Sequence, residues 1–308
     1  MPRVSVIIAT HSRPHLLPRA VESARAAGRD VEIIVVDDAS TDNTPAVCRN
    51  LIDIKYVRIE RNQGVAGARN IGLMESSGEY VTFLDDDDLR LPGSIDLQME
   101  ALSANPDTGF VCGGVIMADQ NYEYTGEIVF PKKSGDVFWQ ILELEFPVMG
   151  LSTLIRKACF LRAGLFNRQL PGIDDWDIFT RIAELYPVLV INQPVGVYRE
   201  PTWNSGQGSS ARAYQLRRAV SHQLKLLRLP RASEAPLAER HAIRRRMINR
   251  VADTLLWNAA RRIPNGEFRP ALANIGVALR LNPLRALRPG AYKKLAETLF
   301  LRIQVPGT

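Results

Sequence analysis

Residues Glu79 to Asp88 read Glu-Tyr-Val-Thr-Phe-Leu-Asp-Asp-Asp-Asp. Tyr80 to Leu84 is apolar, aromatic and β-branched, the pattern of a buried strand. It runs directly into four adjacent carboxylates, Asp85 to Asp88. Like charges this close repel, and an interior cannot hold them unpaired. Hard oxygen donors at the end of a buried strand suit Mg²⁺ or Mn²⁺. In an open α/β sheet that end of a strand is also where ligands bind. The implied chemistry is a metal site that grips an anionic, phosphorylated substrate. The competing reading is a solvated acidic turn, or a helix cap ahead of Leu89-Arg90-Leu91-Pro92.

Two more acidic pairs stand at similar boundaries. Glu32 to Val36 reads as a second buried strand and ends in Asp37 and Asp38. Asp174 and Asp175 open a helix whose apolar face is Ile178, Phe179 and Ile182. There the choice lies between N-capping, favoured by the helix dipole, and a general base in a pocket.

The elements that must position these carboxylates follow from periodicity. Val4 to Thr10 is a near-continuous apolar run, as expected of a strand covered on both faces. Leu16, Leu17, Ala20, Val21 and Ala24 recur at helical spacing, and Gly28 ends that helix. Pro45 suits the first turn of a second helix. Tyr56 to Ile59 is a third strand, and Asn62 to Asn70 opens a helix of small residues. Strand and helix thus alternate through the first 90 residues or so, the pattern of a mostly parallel, nucleotide-binding α/β sheet flanked by helices. Two of its strands end in carboxylates on one edge. The spacing lacks Gly-x-Gly-x-x-Gly, and no Gly-Lys-Ser/Thr follows a strand, which argues against a dinucleotide fold and a Walker loop.

Further along, a helix is expected from Pro92 to Ala104, strands at Phe110 to Met117 and Leu151 to Arg156, and a short helix through Leu161. Tyr122 to Val148 is irregular, and strands recur at Val188 to Ile191 and Val195 to Arg199. Pro201 to Ser210 reads as a linker or a lid.

The bulk composition fits a cytoplasmic protein. Three cysteines in 308 residues are too few and too scattered for a disulfide framework or a zinc site. No run approaches the roughly 20 apolar residues of a membrane span. The net charge of +6 conceals an asymmetry: Ser209 to Thr308 holds 20 Lys and Arg against 5 Asp and Glu, a net of +15, which leaves −9 for Met1 to Gly208. The predicted organisation is a catalytic domain over 1–208, with a nucleotide-binding half over 1–118 and an acceptor half over 119–208. A basic helical region occupies 209–308. That region reads either as a peripheral contact with the inner face of an anionic membrane or as a helical appendage with Arg on its wet side. Nucleic acid is not an expected partner, since no motif accompanies the charge.

Taken in order, Val4 to Thr10, Ile34 to Asp42, Asn62-Gln63-Gly64 with Ala68-Arg69-Asn70, Phe83 to Asp88 and Asp174 to Asp177 resemble the inverting family 2 glycosyltransferases of GT-A fold. The resemblance runs from about Val4 to Arg199. It implies nucleotide contacts at Ala9, Thr10 and His11 and base recognition by Asp38, which would accept the imide N–H of a uracil-like ring. Arg69 then lies near the diphosphate. Asp85, Asp86 and Asp87 cover the family's Asp-x-Asp motif, with Asp86 towards the ribose and Asp87 on the metal. Asp175 falls on the catalytic base, with Asp174 and Trp176 on the acceptor side.

The implied activity is metal-dependent transfer of a sugar, hexosyl in type, from a UDP-sugar to a carbohydrate or lipid-linked acceptor. Cell-surface polysaccharide or glycoconjugate synthesis is the implied setting. Two departures stand out. Asp174 replaces the more usual Glu, and Glu200-Pro201 follows Tyr198-Arg199 where many members carry His. A sugar-phosphate nucleotidyltransferase or a non-catalytic sugar-nucleotide module are the rival readings. Thr10-His11-Ser12-Arg13 lacks the signature of the first, and the presence of Asp87 and Asp175 argues against the second.

Overall fold

The computed structural model describes residues 3–170, 172–200, 220–222, 224–263 and 266–286. The expected linker or lid at Pro201 to Ser210 lies outside them. The chain divides into two compact units, one of Met1–Ile141 with Glu145–Thr202, the other of Leu142–Leu144 with Trp203–Thr308.

The first unit is built on one nine-stranded sheet. In chain order its elements begin β1 (Val4–Thr10), α1 (Leu17–Ala26), β2 (Val31–Asp38), α2 (Thr44–Asn50), β3 (Ile54–Ile59), α3 (Gly64–Glu75) and β4 (Tyr80–Asp85). They continue with β5 (Leu89–Arg90), α4 (Ser94–Ser103), β6 (Phe110–Ala118), β7 (Tyr124–Val129), α5 (Phe138–Leu142) and β8 (Thr153–Arg156). The last are α6 (Cys159–Ala163), α7 (Asp174–Leu185) and β9 (Val188–Arg199). The strand order is β3-β2-β1-β4-β8-β6-β9-β5, with β7 on β6.

The first four strands run parallel, as their helical crossovers require. Beyond β4 the pairing turns mixed. β8 lies antiparallel to both β4 and β6, whereas β6 and β9 are parallel. Register puts the chemistry on one edge: Thr10 pairs with Asp37, and Ala9 with Asp85. Strands β1, β2 and β4 therefore end side by side. β1 and β4 are buried along almost their whole length, which matches their unbroken apolar sequences.

Two sequence expectations change in detail. Val188 to Arg199 is one strand rather than two, and Pro194 sits where its register against β6 slips near Gly114. A proline is tolerated there because a bulge needs no ladder donor. The two-residue β5, too short to show any periodicity, clamps the chain after the acidic turn: Leu89 pairs with Val197, and Arg90 with Gly196.

Helix α3 packs directly on β1 and β2. Its contact residue is Gly72, where a Cβ would overlap Ile7 Cγ2 and stand 3.2 Å from Val36 Cγ2.

In the second unit the elements are α8 (Pro230–Glu234), α9 (Leu237–Arg262), α10 (Phe268–Leu281) and α11 (Pro283–Ala286). Val251, Ala252, Leu255 and Leu256 of α9 form a buried cluster with Val220 and with Ala278 of α10. Arg246 donates to both carboxylate oxygens of Glu143. No helix among the described residues is long and apolar enough to cross a membrane.

The close approach at Gly72 sets a prediction. Gly72→Ala should lower unfolding stability by about 1–3 kcal/mol through overpacking. Ile7→Ala removes the overlapping Cγ2, so in the same chain the two losses should sum to less than their separate values, read from denaturant midpoints.

Candidate functional site

The acidic turn after β4 is held by groups from distant parts of the chain. Thr10 Oγ1 donates to Asp86 Oδ2 at 2.7 Å. Arg13 donates through one nitrogen to both Asp86 Oδ1, at 2.8 Å, and Asp87 Oδ2, at 2.9 Å. Arg69, buried on α3, donates to Asp85 Oδ1 at 2.7 Å and to Asp174 Oδ2 at 2.9 Å. It thereby joins the acidic turn to the first turn of α7. Burial works against its charge, but Asp85, Asp174 and Asp175 outweigh burial and hold it protonated. The next residue on α3, Asn70, trades two 2.9 Å hydrogen bonds with the backbone of Phe166 and so pins the loop leading to α7.

Asp87 and Asp88 are buried. Burial first, then neighbouring carboxylates, push Asp87 up to about 6 and Asp88 well above the usual carboxylate range. Asp88 Oδ1 accepts the Arg199 N–H at 2.9 Å. The phenol of Tyr122 donates to the Asp87 carbonyl at 3.1 Å, and its ring is flanked by Arg19 and Arg199.

Carboxylate oxygens of Asp85, Asp87 and Asp88 lie within 4.8 Å of one another. Asp87 Oδ1 is buried with no hydrogen-bond partner among the described residues. An all-oxygen set with an orphaned anionic atom fits a hard divalent cation. The expected metal ligand Asp87 is thus one of three carboxylates able to contribute.

Asp38 meets different partners. Its two oxygens accept the backbone N–H groups of Gln63, at 2.7 Å, and Gly64, at 2.8 Å. Those are orphan donors at the start of α3, where an anion is also favoured by the helix dipole. His11 Nδ1 lies 2.7 Å from the Asp38 carbonyl oxygen, so the imidazole donates in its Nδ1–H form. Ala9 is half-buried at the end of β1. Asp37, by contrast, is an internal strut that accepts from Ser40 N–H and Tyr56 OH.

Asp175 is half-buried, whereas Asp174 beside it is buried against Arg69. Asp175 Oδ1 accepts the Trp176 N–H at 2.8 Å. Burial and the charge of Asp174, opposed by Arg69, push Asp175 up to about 7. It is the carboxylate of this group suited to take a proton near neutral pH. Asp174, expected on the acceptor side, is buried and paired with Arg69. Trp176 is half-buried next to the base.

Three non-glycine residues around this edge, Ser12, Ala39 and Tyr122, adopt left-handed backbone conformations with φ of 53°, 59° and 67°. Such strain persists where surrounding contacts over-determine the loop, as happens at binding sites. Arg13, Asp88 and Tyr122 belong to the site although sequence reasoning did not single them out. Asp88 was legible as part of the acidic run and Arg13 as part of Thr10-His11-Ser12-Arg13, but nothing local marks Tyr122.

A family model described as Glycosyl transferase family 2 matches residues 5–160, half the chain. The chain belongs to this family. The chain is 39% identical over 136 residues to a Campylobacter jejuni protein named GalNAc(5)-diNAcBac-PP-undecaprenol beta-1,3-glucosyltransferase, covering 41% of this chain and 43% of that one. The chain spans less than two thirds of the length of the curated relatives it matches. Its fold is similar to that of S. aureus TarS 1-349, with TM-score 0.61 and 17% identity over 97% of this chain and 92% of the other. It is also similar to the mannosyltransferase PcManGT of Pyrobaculum calidifontis, solved with GDP-Man and Mn2+: TM-score 0.58 and 22% identity over 99% and 81% of the two chains.

The Arg69 bridge gives a direct test. Arg69→Met strands Asp85 and Asp174 without their cation and should cost about 3–5 kcal/mol of unfolding free energy. Adding Asp174→Asn should return part of that, since the two sites share one network.

Proposed function

We propose that the chain transfers a sugar, with inversion, from a nucleoside diphosphate sugar to an acceptor hydroxyl. The observation that carries this reading is the meeting of three acidic groups at one sheet edge. Asp38 is fixed by two backbone donors, Asp85 to Asp88 form a buried cluster, and Asp175 is half-buried with its proton held near neutrality. Membership of family 2 supports the same class of reaction.

The roles follow from the chemistry of each group. The Asp38 carboxylate keeps acceptor capacity beyond its two backbone donors. Held in that orientation, it would receive the imide N–H of a uracil ring, so a UDP-sugar is the favoured donor. Thr10, His11 and Ala9 line the start of the same loop. Asp86, oriented by Thr10 and Arg13, would face the ribose. Asp85, Asp87 and Asp88 would hold the divalent cation, Mg²⁺ or Mn²⁺. What that ion supplies is Lewis-acid stabilisation of charge growing on the departing diphosphate.

Asp175 would remove the proton of the acceptor hydroxyl on the opposite face of the sugar. One displacement inverts the anomeric centre, and no protein nucleophile is required. Arg69 holds Asp174 inward through a hydrogen bond, which leaves Asp175 as the carboxylate that would act as base. Trp176 would border the acceptor. The Campylobacter relative's name places its own acceptor on an undecaprenol diphosphate, which supports a carbohydrate or lipid-linked acceptor here.

The experiment combines purified chain, a panel of UDP- and GDP-sugars and Mg²⁺ or Mn²⁺, with release of free nucleotide as readout. A UDP-sugar should be turned over, and EDTA should stop it. Asp175→Asn should lower kcat by about 10²–10⁴-fold, while calorimetric binding of UDP with Mn²⁺ stays close to that of the parent. The sign of the pH effect is set by the raised pKa. Asp175 is active only when ionised, so kcat/KM should rise with pH through an inflection near 7. Full turnover in Asp175→Asn, or an inflection in the ordinary carboxylate range, would remove Asp175 from the role.

A further inference from the structure

Helix α10 carries two faces. Ala271, Asn274 and Ala278 are buried, and Ala278 joins the cluster with α9. Elsewhere on the helix, Phe268, Leu272 and Leu279 are 61%, 67% and 38% exposed. At 3.6 residues per turn these three fall within about 40° of one another, a continuous apolar stripe. Arg269 and Arg280 are exposed about 90° round the same helix, at the stripe's side. Leu284, in the next element α11, is 75% exposed. Among the described residues, packing within the unit therefore explains one face of α10 and leaves the other open.

We infer that this open face is a docking surface for an anionic lipid bilayer. The exposed cations at its side, Arg269 and Arg280, select that occupant, and the sequence composition agrees. From Phe268 to the last residue the sequence has seven Lys and Arg and a single acidic residue, Glu297. A helix lying in a bilayer interface needs this combination: apolar side chains that enter the acyl boundary and cations beside them at headgroup level. The alternative of a folded protein partner fits less well. Three side chains on one helix make a narrow stripe, well short of a stable protein interface. The surface is independent of the sugar-transfer reading, since none of these residues belongs to the acidic site.

The test uses the full chain with vesicles of phosphatidylcholine alone, or of phosphatidylcholine mixed with phosphatidylglycerol, in co-sedimentation. The chain should pellet with the anionic vesicles, stay in solution with the neutral ones, and be released by high salt. Arg269→Glu with Arg280→Glu should weaken the partition by roughly tenfold or more. Leu272→Asp should do the same. All three positions are exposed, so circular dichroism should match the parent, and nucleotide release from a donor sugar in the absence of vesicles should be unchanged. Failure of the parent chain to bind anionic vesicles overturns the inference. So does equal binding by both variants. A concentration-dependent dimer that Leu272→Asp dissolves, with no vesicle binding, would assign the face to a second copy instead.

Discussion

Six carboxylates, Asp85 to Asp88 with Asp174 and Asp175, converge at the end of β4 and the start of α7, and most of them are buried. Two unit charges 4 Å apart interact by about 4 kcal/mol at an effective dielectric of about 20, so such a cluster cannot persist without counter-charge. Arg13 and Arg69 supply it, and each bridges two carboxylates: Asp86 with Asp87, and Asp85 with Asp174. A planar guanidinium has several donors in a fixed fork, so one side chain can span two acids where an ammonium would act as a point charge. Neither guanidinium reaches Asp87 Oδ1, which is buried with no hydrogen-bond partner among the described residues.

Arginine elsewhere in the first unit shows what the absence of acids does. Arg90 is fully buried, and its head donates to the Leu151 carbonyl and the Gln98 side chain, both uncharged. Burial alone pulls it down to about 9. Arg69 is almost as deeply placed, yet its neighbours hold it above its ordinary value. The same residue type thus serves as a neutral-bonded strut beneath β5 and as a charge clamp on α3. Helix α3 holds three parts of the site at once. Its first amides fix Asp38, Arg69 ties β4 to α7, and Asn70 fixes the loop before α7.

The parts of this arrangement that were legible in the sequence are those where a single segment carries both signals. β2 and β4 each read as an apolar strand running into carboxylates, and regular alternation with helices put both ends on one edge. Pairings that span long stretches of chain were not legible. Arg13 meets Asp86 across 73 residues and Arg199 meets Asp88 across 111, and no local pattern encodes a partner that distant. Asp174 and Asp175 are the instructive case. Adjacent and chemically identical, they could not be told apart by type or spacing, nor could capping be separated from catalysis. One lies against Arg69 and the other remains half-buried, and only the fold makes that distinction.

The supports are unevenly distributed, and that bears on specificity. Around the acidic turn the backbone is over-determined. Asp87 is held through its carbonyl by Tyr122, whose ring contacts Arg19 and Arg199 and whose backbone is left-handed, while β5 locks the following residues to β9. Rigid placement of that kind suits recognition of a group common to many donors, because a diphosphate and its ion demand fixed oxygens. Beside Asp175 the constraints thin out. Its carboxylate is held by the amide of the very next residue, and β7, the next strand beyond β6, is exposed along almost its whole length. The fold thus over-determines the acidic turn after β4 and holds Asp175 through fewer contacts.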